Sequence, residues 1–169
     1  MVIKLRLSDK GIKDAIEQVK EAKKKLKWAQ DELVVRLSDF GASRASLYFD
    51  SAQMSPGDEK PVISVKLDRG AKRATITASS RDVGFIEFGA GSRFASSSHP
   101  LNSEFGTGPG TWSEGPNGKG RWNDPRGWFY NRDGTKMRSY GQPAAKAMYQ
   151  TSLDIQEEVE RIVRGVLGG

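Results

Sequence analysis

The chain has 169 residues, enough for one sizeable domain with a real core but cramped for two. Apolar residues make up 36%, charged residues 28% and Gly numbers 19, so part of the chain is loop while the rest has ordinary globular composition. There is no Cys and a single His, His99, which excludes disulfides, Cys-ligated zinc, iron-sulfur clusters and thiol nucleophiles, and leaves imidazole-rich zinc sites and Ser-His-Asp triads short of partners.

No cofactor or metal is expected, and His99 is expected to be an exposed loop histidine. No apolar run reaches the roughly 18 to 20 residues that cross a bilayer, and Met1 to Leu7 carries no signal-peptide core. A soluble protein made in a cytoplasm, with no membrane partner, is the expectation. The 27 basic against 21 acidic residues give a net charge of +6, which favours nucleic acid or an acidic protein surface without choosing between them.

In chain order, Ile3, Leu5 and Leu7 alternate with Lys4 and Arg6, the pattern of a short half-buried strand. Ser8 or Asp9 then caps a helix. Its apolar positions Ile12, Ile16, Val19, Ala22, Leu26, Ala29, Leu33, Leu37 and Phe40 advance by threes and fours along one stripe. Gly41 is a suitable stop or bend, and Ala42 to Asp50 is expected as a second short helix. Pro61 to Leu67 and Arg73 to Ala78 form a hairpin around Asp68 to Lys72, with Ile63, Val65, Leu67, Ala74, Ile76 and Ala78 facing inward. Val83 to Phe88 is expected as another strand.

From Gly89 to Arg126 the composition shifts to Gly, Ser, Pro and Asn, with Phe94, Phe105, Trp112 and Trp122 scattered without period. Loops this long are usually functional or disordered, and the aromatics argue for a loop that orders against something. Trp128 to Tyr130 and Thr135 to Arg138 flank an Asp133-Gly134 turn as a second hairpin. After Gly141, Pro143 suits a first helical position, and Ala147, Met148, Ile155, Val159, Ile162, Val163 and Val166 mark a terminal amphipathic helix. The order predicts a single α+β domain over 1–169, with a long N-terminal helix and a C-terminal helix packed on an antiparallel β-sheet, and an extended Gly-rich loop at 89–126.

Catalytic signals are weak. The run Gly106-Thr107-Gly108-Pro109-Gly110 lacks the strand, Lys and helix of a phosphate loop. The carboxylates Glu87, Glu104, Glu114, Asp124 and Asp133 show no spacing that fixes an acid/base pair. Lys20, Lys23, Lys24 and Lys27 share one face of the first helix, either a solvated face or a contact for DNA phosphates or an acidic neighbour.

Two segments, Phe85-Ile86-Glu87-Phe88-Gly89-Ala90-Gly91 and Gly141-Gln142-Pro143-Ala144-Ala145-Lys146-Ala147-Met148-Tyr149, resemble the neck or tail-completion family of long-tailed bacteriophages. His99-Pro100, Gly108-Pro109-Gly110-Thr111-Trp112 and Trp122 to Tyr130 look like a subgroup with an extended central loop. The likeness covers nearly the whole chain, although Ala90 stands where Thr is common. It implies a structural virion protein and no enzyme, sitting at the head-tail junction as a homo-oligomeric ring around the DNA channel. The implied partners are head-closure or connector proteins, tail terminator or tail-tube proteins, and packaged DNA through non-specific contact.

On this reading Phe85, Glu87, Phe88, Phe94, Phe105, Trp112, Trp122, Trp128, Gln142 and Pro143 form the assembly interface, because aromatics on an adaptable loop make good anchors. Glu87 is expected at a strand end near a subunit boundary, paired with a neighbour's Arg or with Arg81. The alternative is a stand-alone basic nucleic-acid-binding module, with a wall-degrading enzyme third.

Overall fold

The computed structural model of the chain describes residues 9–101, 104 and 126–168. The strand expected at Ile3 to Leu7 and the cap at Ser8 lie outside them, as do Phe105, Trp112 and Trp122. Helix α1 spans Asp9–Ser51 as one element of 43 residues. The expected interruption at Gly41 and the separate helix after it do not occur. Gly41 is a point of close approach instead: a Cβ there would lie 2.5 Å from Ile76 Cδ1 and 2.7 Å from Ile155 Cδ1. A glycine inside a helix costs about 1 kcal/mol against alanine, and here two apolar side chains occupy the space the missing Cβ leaves.

Strands β1 (Val62–Asp68) and β2 (Arg73–Ser79) form the first hairpin. Their register pairs Ile63 with Ala78, Val65 with Ile76 and Leu67 with Ala74, as the alternation requires. Ile63, Ala74, Ile76 and Ala78 are half-buried, whereas Val65 and Leu67 remain exposed. At the hairpin's tip Lys72 donates to Asp31 of α1, which holds the Asp31 carboxyl below its ordinary value.

The run Val83–Phe88 is helix α2, not a strand. A short apolar run fits either state by pattern alone, and here Ile86 N–H bonds to Asp82 O at 3.0 Å, turning Ile86 and Glu87 inward. A 3-10 turn follows at Ser92–Ser97. The second hairpin, β3 (Trp128–Arg132) and β4 (Thr135–Ser139), turns through Asp133 and Gly134 at φ 51° and 83°, the left-handed pair that suits a two-residue hairpin loop. The antiparallel layer is therefore two separate two-stranded ribbons.

Helix α3 (Ala147–Leu167) closes the described chain. It begins later than Pro143 because Gln142, Ala145 and Lys146 hydrogen-bond to Ala90, Ile86 and Glu87, and Lys146 turns left-handed at φ 56° just before it. Helix α3 runs back along the C-terminal half of α1, with Ile155 beside Gly41 and Gly165 near Arg36. Arg44 donates to Asp154 and to Tyr48 Oη at 2.8 Å, and Tyr48 Oη donates to Asp154 at 2.9 Å, tying the two helices together. Phe49, Ile86 and Ala147 form the buried core where α1, α2 and α3 meet, with Ile63 and Ala78 of the first hairpin packed against it.

Candidate assembly site

Helix ends leave backbone groups without partners. At the end of α2 the carbonyls of Ile86 and Glu87 accept from Ala145 N–H (2.8 Å) and Lys146 N–H (3.1 Å). At the start of α3 no local side chain caps the helix. The Glu87 carboxylate does so from α2, accepting from Met148 N–H at 3.1 Å and Tyr149 N–H at 3.2 Å. A negative charge at a helix N-terminus is favoured both by the free N–H groups and by the helix dipole. One glutamate thus joins two helices end to end.

Three residues on, Ala90 and Gln142 exchange backbone hydrogen bonds at 2.9 Å each way. Glycine is required around this bridge: a Cβ at Gly141, where φ is 81°, would sit 2.2 Å from Ala90 O. The segments 85–91 and 141–149 consequently fold as one clasp.

His99 completes it. Its Nδ1 accepts from Leu101 N–H at 3.0 Å, which leaves the proton on Nε2, and Nε2 lies 3.3 Å from Glu87 Oε1. The imidazole lies tilted on Phe88 at 4.4 Å and edge-on to Tyr149 at 5.4 Å. His99 is only 3% exposed, so the expected exposed loop histidine is corrected: it is an interior partner of a buried carboxylate. Glu87 is corrected as well. It is 6% exposed, lies in a helix and not at a strand end, and faces His99 and α3, while Arg81 pairs with Asp133 at 2.9 Å.

Of the other residues expected at an interface, Phe85, Phe88, Phe94, Trp128 and Pro143 are half-buried around the clasp. Phe94 lines a small cleft with Phe88 and Gln142, and the Trp128 ring lies against Gly91. Gln142 is interior, its Oε1 accepting from Ser55 N–H at 2.9 Å. Glu87 and Gln142 thus hold the clasp from inside the chain.

A second polar cluster carried no local sequence signal. Arg132 of β3 donates to Asp82 and to Gly57 O and stands 3.8 Å from Asp58. Asp82 also accepts from Glu59 N–H at 2.8 Å. Burial pushes the Asp58 carboxyl above its ordinary value; Ser55 N–H opposes the shift and the Asp82 charge adds to it.

The Lys face of α1 is exposed throughout, with Lys20 on Glu17 at 2.8 Å and Lys24 on Glu21 at 3.0 Å. Such one-turn pairs at a surface are screened by water and add little to the fold. The apolar stripe behaves in two ways. Beside α3, Leu33, Leu37 and Phe40 are half-buried, whereas Ile12, Ile16, Val19 and Leu26 are exposed, Ile16 by 49% and Leu26 by 58%.

Among the described residues no group of three or more His, Asp or Glu is placed to hold a metal ion, and no helix is long and apolar enough to cross a membrane. No family model, curated protein or solved structure matches the chain.

Proposed function

We propose that the chain is a structural virion protein of the bacteriophage head-tail junction, of the neck or tail-completion kind, which oligomerises as a ring around the DNA channel and helps join tail to head. The proposal assigns it no catalysis. The observation that carries it is the exposed apolar line of Ile12, Ile16, Val19 and Leu26 on α1. Apolar residues in a row on an otherwise charged helix are surface that association would cover. The clasp supports the same reading, because the two segments on which the family resemblance rests form one folded unit through Glu87, Ala90 and Gln142.

The test is electron microscopy of particles made without this gene. Filled heads apart from tails, or tails with abnormal ends, are expected, whereas normal infectious particles would refute the proposal. The alternative, a stand-alone basic nucleic-acid-binding module, draws on the net charge of +6 and the exposed Lys23, Lys25 and Lys27. DNA binding combined with normal particles would favour it.

A further inference from the structure

Among the described residues, the outward face of the β3–β4 ribbon carries cations and aromatics and no acid. Phe129 lies directly opposite Arg138, and Asn131 opposite Lys136. All four are exposed, as is Tyr140 just beyond β4, with Phe129 at 53% and Tyr140 at 47%. Lys136 Nζ sits 4.5 Å from the centre of the Phe129 ring, and the Arg138 guanidinium lies 5.5 Å from Phe129 and 4.8 Å from Tyr140. The result is a ladder, Lys136, Phe129, Arg138, Tyr140, in which each cation lies over a ring and the Arg138 guanidinium also donates to Arg126 O at 2.7 Å.

The opposite face is anchored. Arg132 is held by Asp82 and Gly57 O, Trp128 lies against Gly91, and Asp133 at the turn is engaged by Arg81. A two-stranded ribbon alone is marginally stable in water, so these inner contacts set which way the outer face points.

We propose that this outer face binds the phosphate backbone of a DNA duplex, with Lys136 and Arg138 as the phosphate contacts and Phe129 and Tyr140 as their supports. Residues two apart on a strand are about 7 Å apart, which lets Lys136 and Arg138 reach neighbouring phosphates of one DNA strand. A two-stranded ribbon is also of a width that a major groove admits. This contact differs from the lysine face of α1, where Glu17 and Glu21 already engage Lys20 and Lys24. For the source of the duplex the inference rests on the head-tail reading; binding by the purified protein does not. Absence of binding would therefore sink this inference alone, and normal particles without the gene would sink the head-tail reading alone.

The experiment is fluorescence anisotropy of a labelled duplex of about 20 base pairs with the full chain, titrated between about 50 and 200 mM salt. The Lys136→Ala/Arg138→Ala protein is expected to bind about 10- to 100-fold more weakly at the lower salt, with a salt slope reduced by about two. Lys23→Ala/Lys25→Ala is expected to keep most of the affinity. Asn131→Asp leaves both stacks in place and adds an acid to the same face, so it must also weaken binding. Undiminished binding by the ribbon variants, a larger loss from the α1 variant, or wild-type protein that binds polyglutamate but no duplex would each overturn the proposal.

Discussion

Glu87 and His99 meet inside the protein at 3.3 Å, and the same carboxylate accepts from the first free amides of α3 at Met148 and Tyr149. Four parts of the structure converge there: the end of α2, the start of α3, the loop that carries His99 and the aromatic rings around it. Removing the carboxylate leaves the His99 Nε2–H and two helix amides unpartnered where water has little access. Loss of a helix cap costs about 0.5–2 kcal/mol and each buried donor left alone about 1–3 kcal/mol. Glu87→Ala is therefore expected to lower stability by about 2–4 kcal/mol, read as a shift of the urea midpoint without a change of slope. Glu87→Gln, which keeps an acceptor oxygen, should lose less. An unshifted midpoint for Glu87→Ala would show that the clasp does not hold the fold.

Elements whose cause is local were legible in the sequence. Asp133-Gly134 adopts the left-handed turn its residues favour, and the pairing of Val65 with Ile76 follows from alternation. Of the stripe from Ala147 to Val166, Ala147, Ile162 and Val166 are buried and Met148, Ile155, Val159 and Val163 half-buried. What escaped was set by distant partners. Gly41 stops nothing because Ile76 and Ile155, from two other elements, fill the space beside it. Val83 to Phe88 is a helix because Glu87 and the last carbonyls of α2 have the start of α3 to bind, a contact between residues about sixty positions apart in sequence. Nothing near His99 announces its carboxylate, and Asp58, Asp82 and Arg132 come from three separate stretches of chain.

Gly141 tests the bridge between Ala90 and Gln142. Its φ of 81° is uncomfortable for an L side chain, and the added Cβ would meet backbone, not the yielding tip of a side chain. The left-handed conformation costs about 1–2 kcal/mol and overpacking about 1–3 kcal/mol. Gly141→Ala is expected to destabilise by about 2–4 kcal/mol in the same urea titration. Gly134→Ala supplies the comparison: its φ is also positive, but no atom lies within 4 Å of the added Cβ, so only the conformational part of the loss should remain.

Arg132 pins the second ribbon, and breaking a buried ion pair from one side costs about 3–5 kcal/mol. Because among the described residues β3 and β4 pair only with each other, the loss in Arg132→Ala should show first as local opening. Hydrogen exchange is expected to quicken in the amides of β3 and β4 while α1 and α3 keep their protection. Equal loss of protection in all four elements would mean that the ribbon unfolds only with the whole domain.

Asp58 gives the pH dependence its sign. Burial raises its folded value, so the folded chain takes up this proton before the unfolded chain does. The group therefore weakens the fold while it is ionised, and that penalty is relieved as pH falls through the folded value. The effect ends near pH 4, where the unfolded carboxyl is also protonated, at about its ordinary value. Asp58→Asn keeps an oxygen for Ser55 N–H and removes the charge. Its stability relative to wild type is expected to be highest near pH 7 and to fall as the pH approaches about 4. A difference that grows on acidification would contradict a raised value. Asp31 runs the other way: Lys72 lowers its value, so its contribution is present above the ordinary carboxylate value and is lost as pH falls through the folded one.

The exposed line on α1 separates folding from association. Ile16 and Leu26 are about half exposed, and surface substitutions of this kind usually change stability by no more than about 0.5 kcal/mol. Ile16→Lys/Leu26→Lys should thus leave the thermal midpoint of the monomer nearly unchanged. If the line is covered on assembly, the same pair places two charges into an apolar contact, each unfavourable unless it finds a partner. Sedimentation velocity across a concentration series is expected to show the wild-type chain forming larger species and the double variant remaining monomeric. Identical sedimentation of the two proteins in their assembled state would mean that Ile12, Ile16, Val19 and Leu26 stay in water there, and the observation that carries the head-tail reading would fall with it.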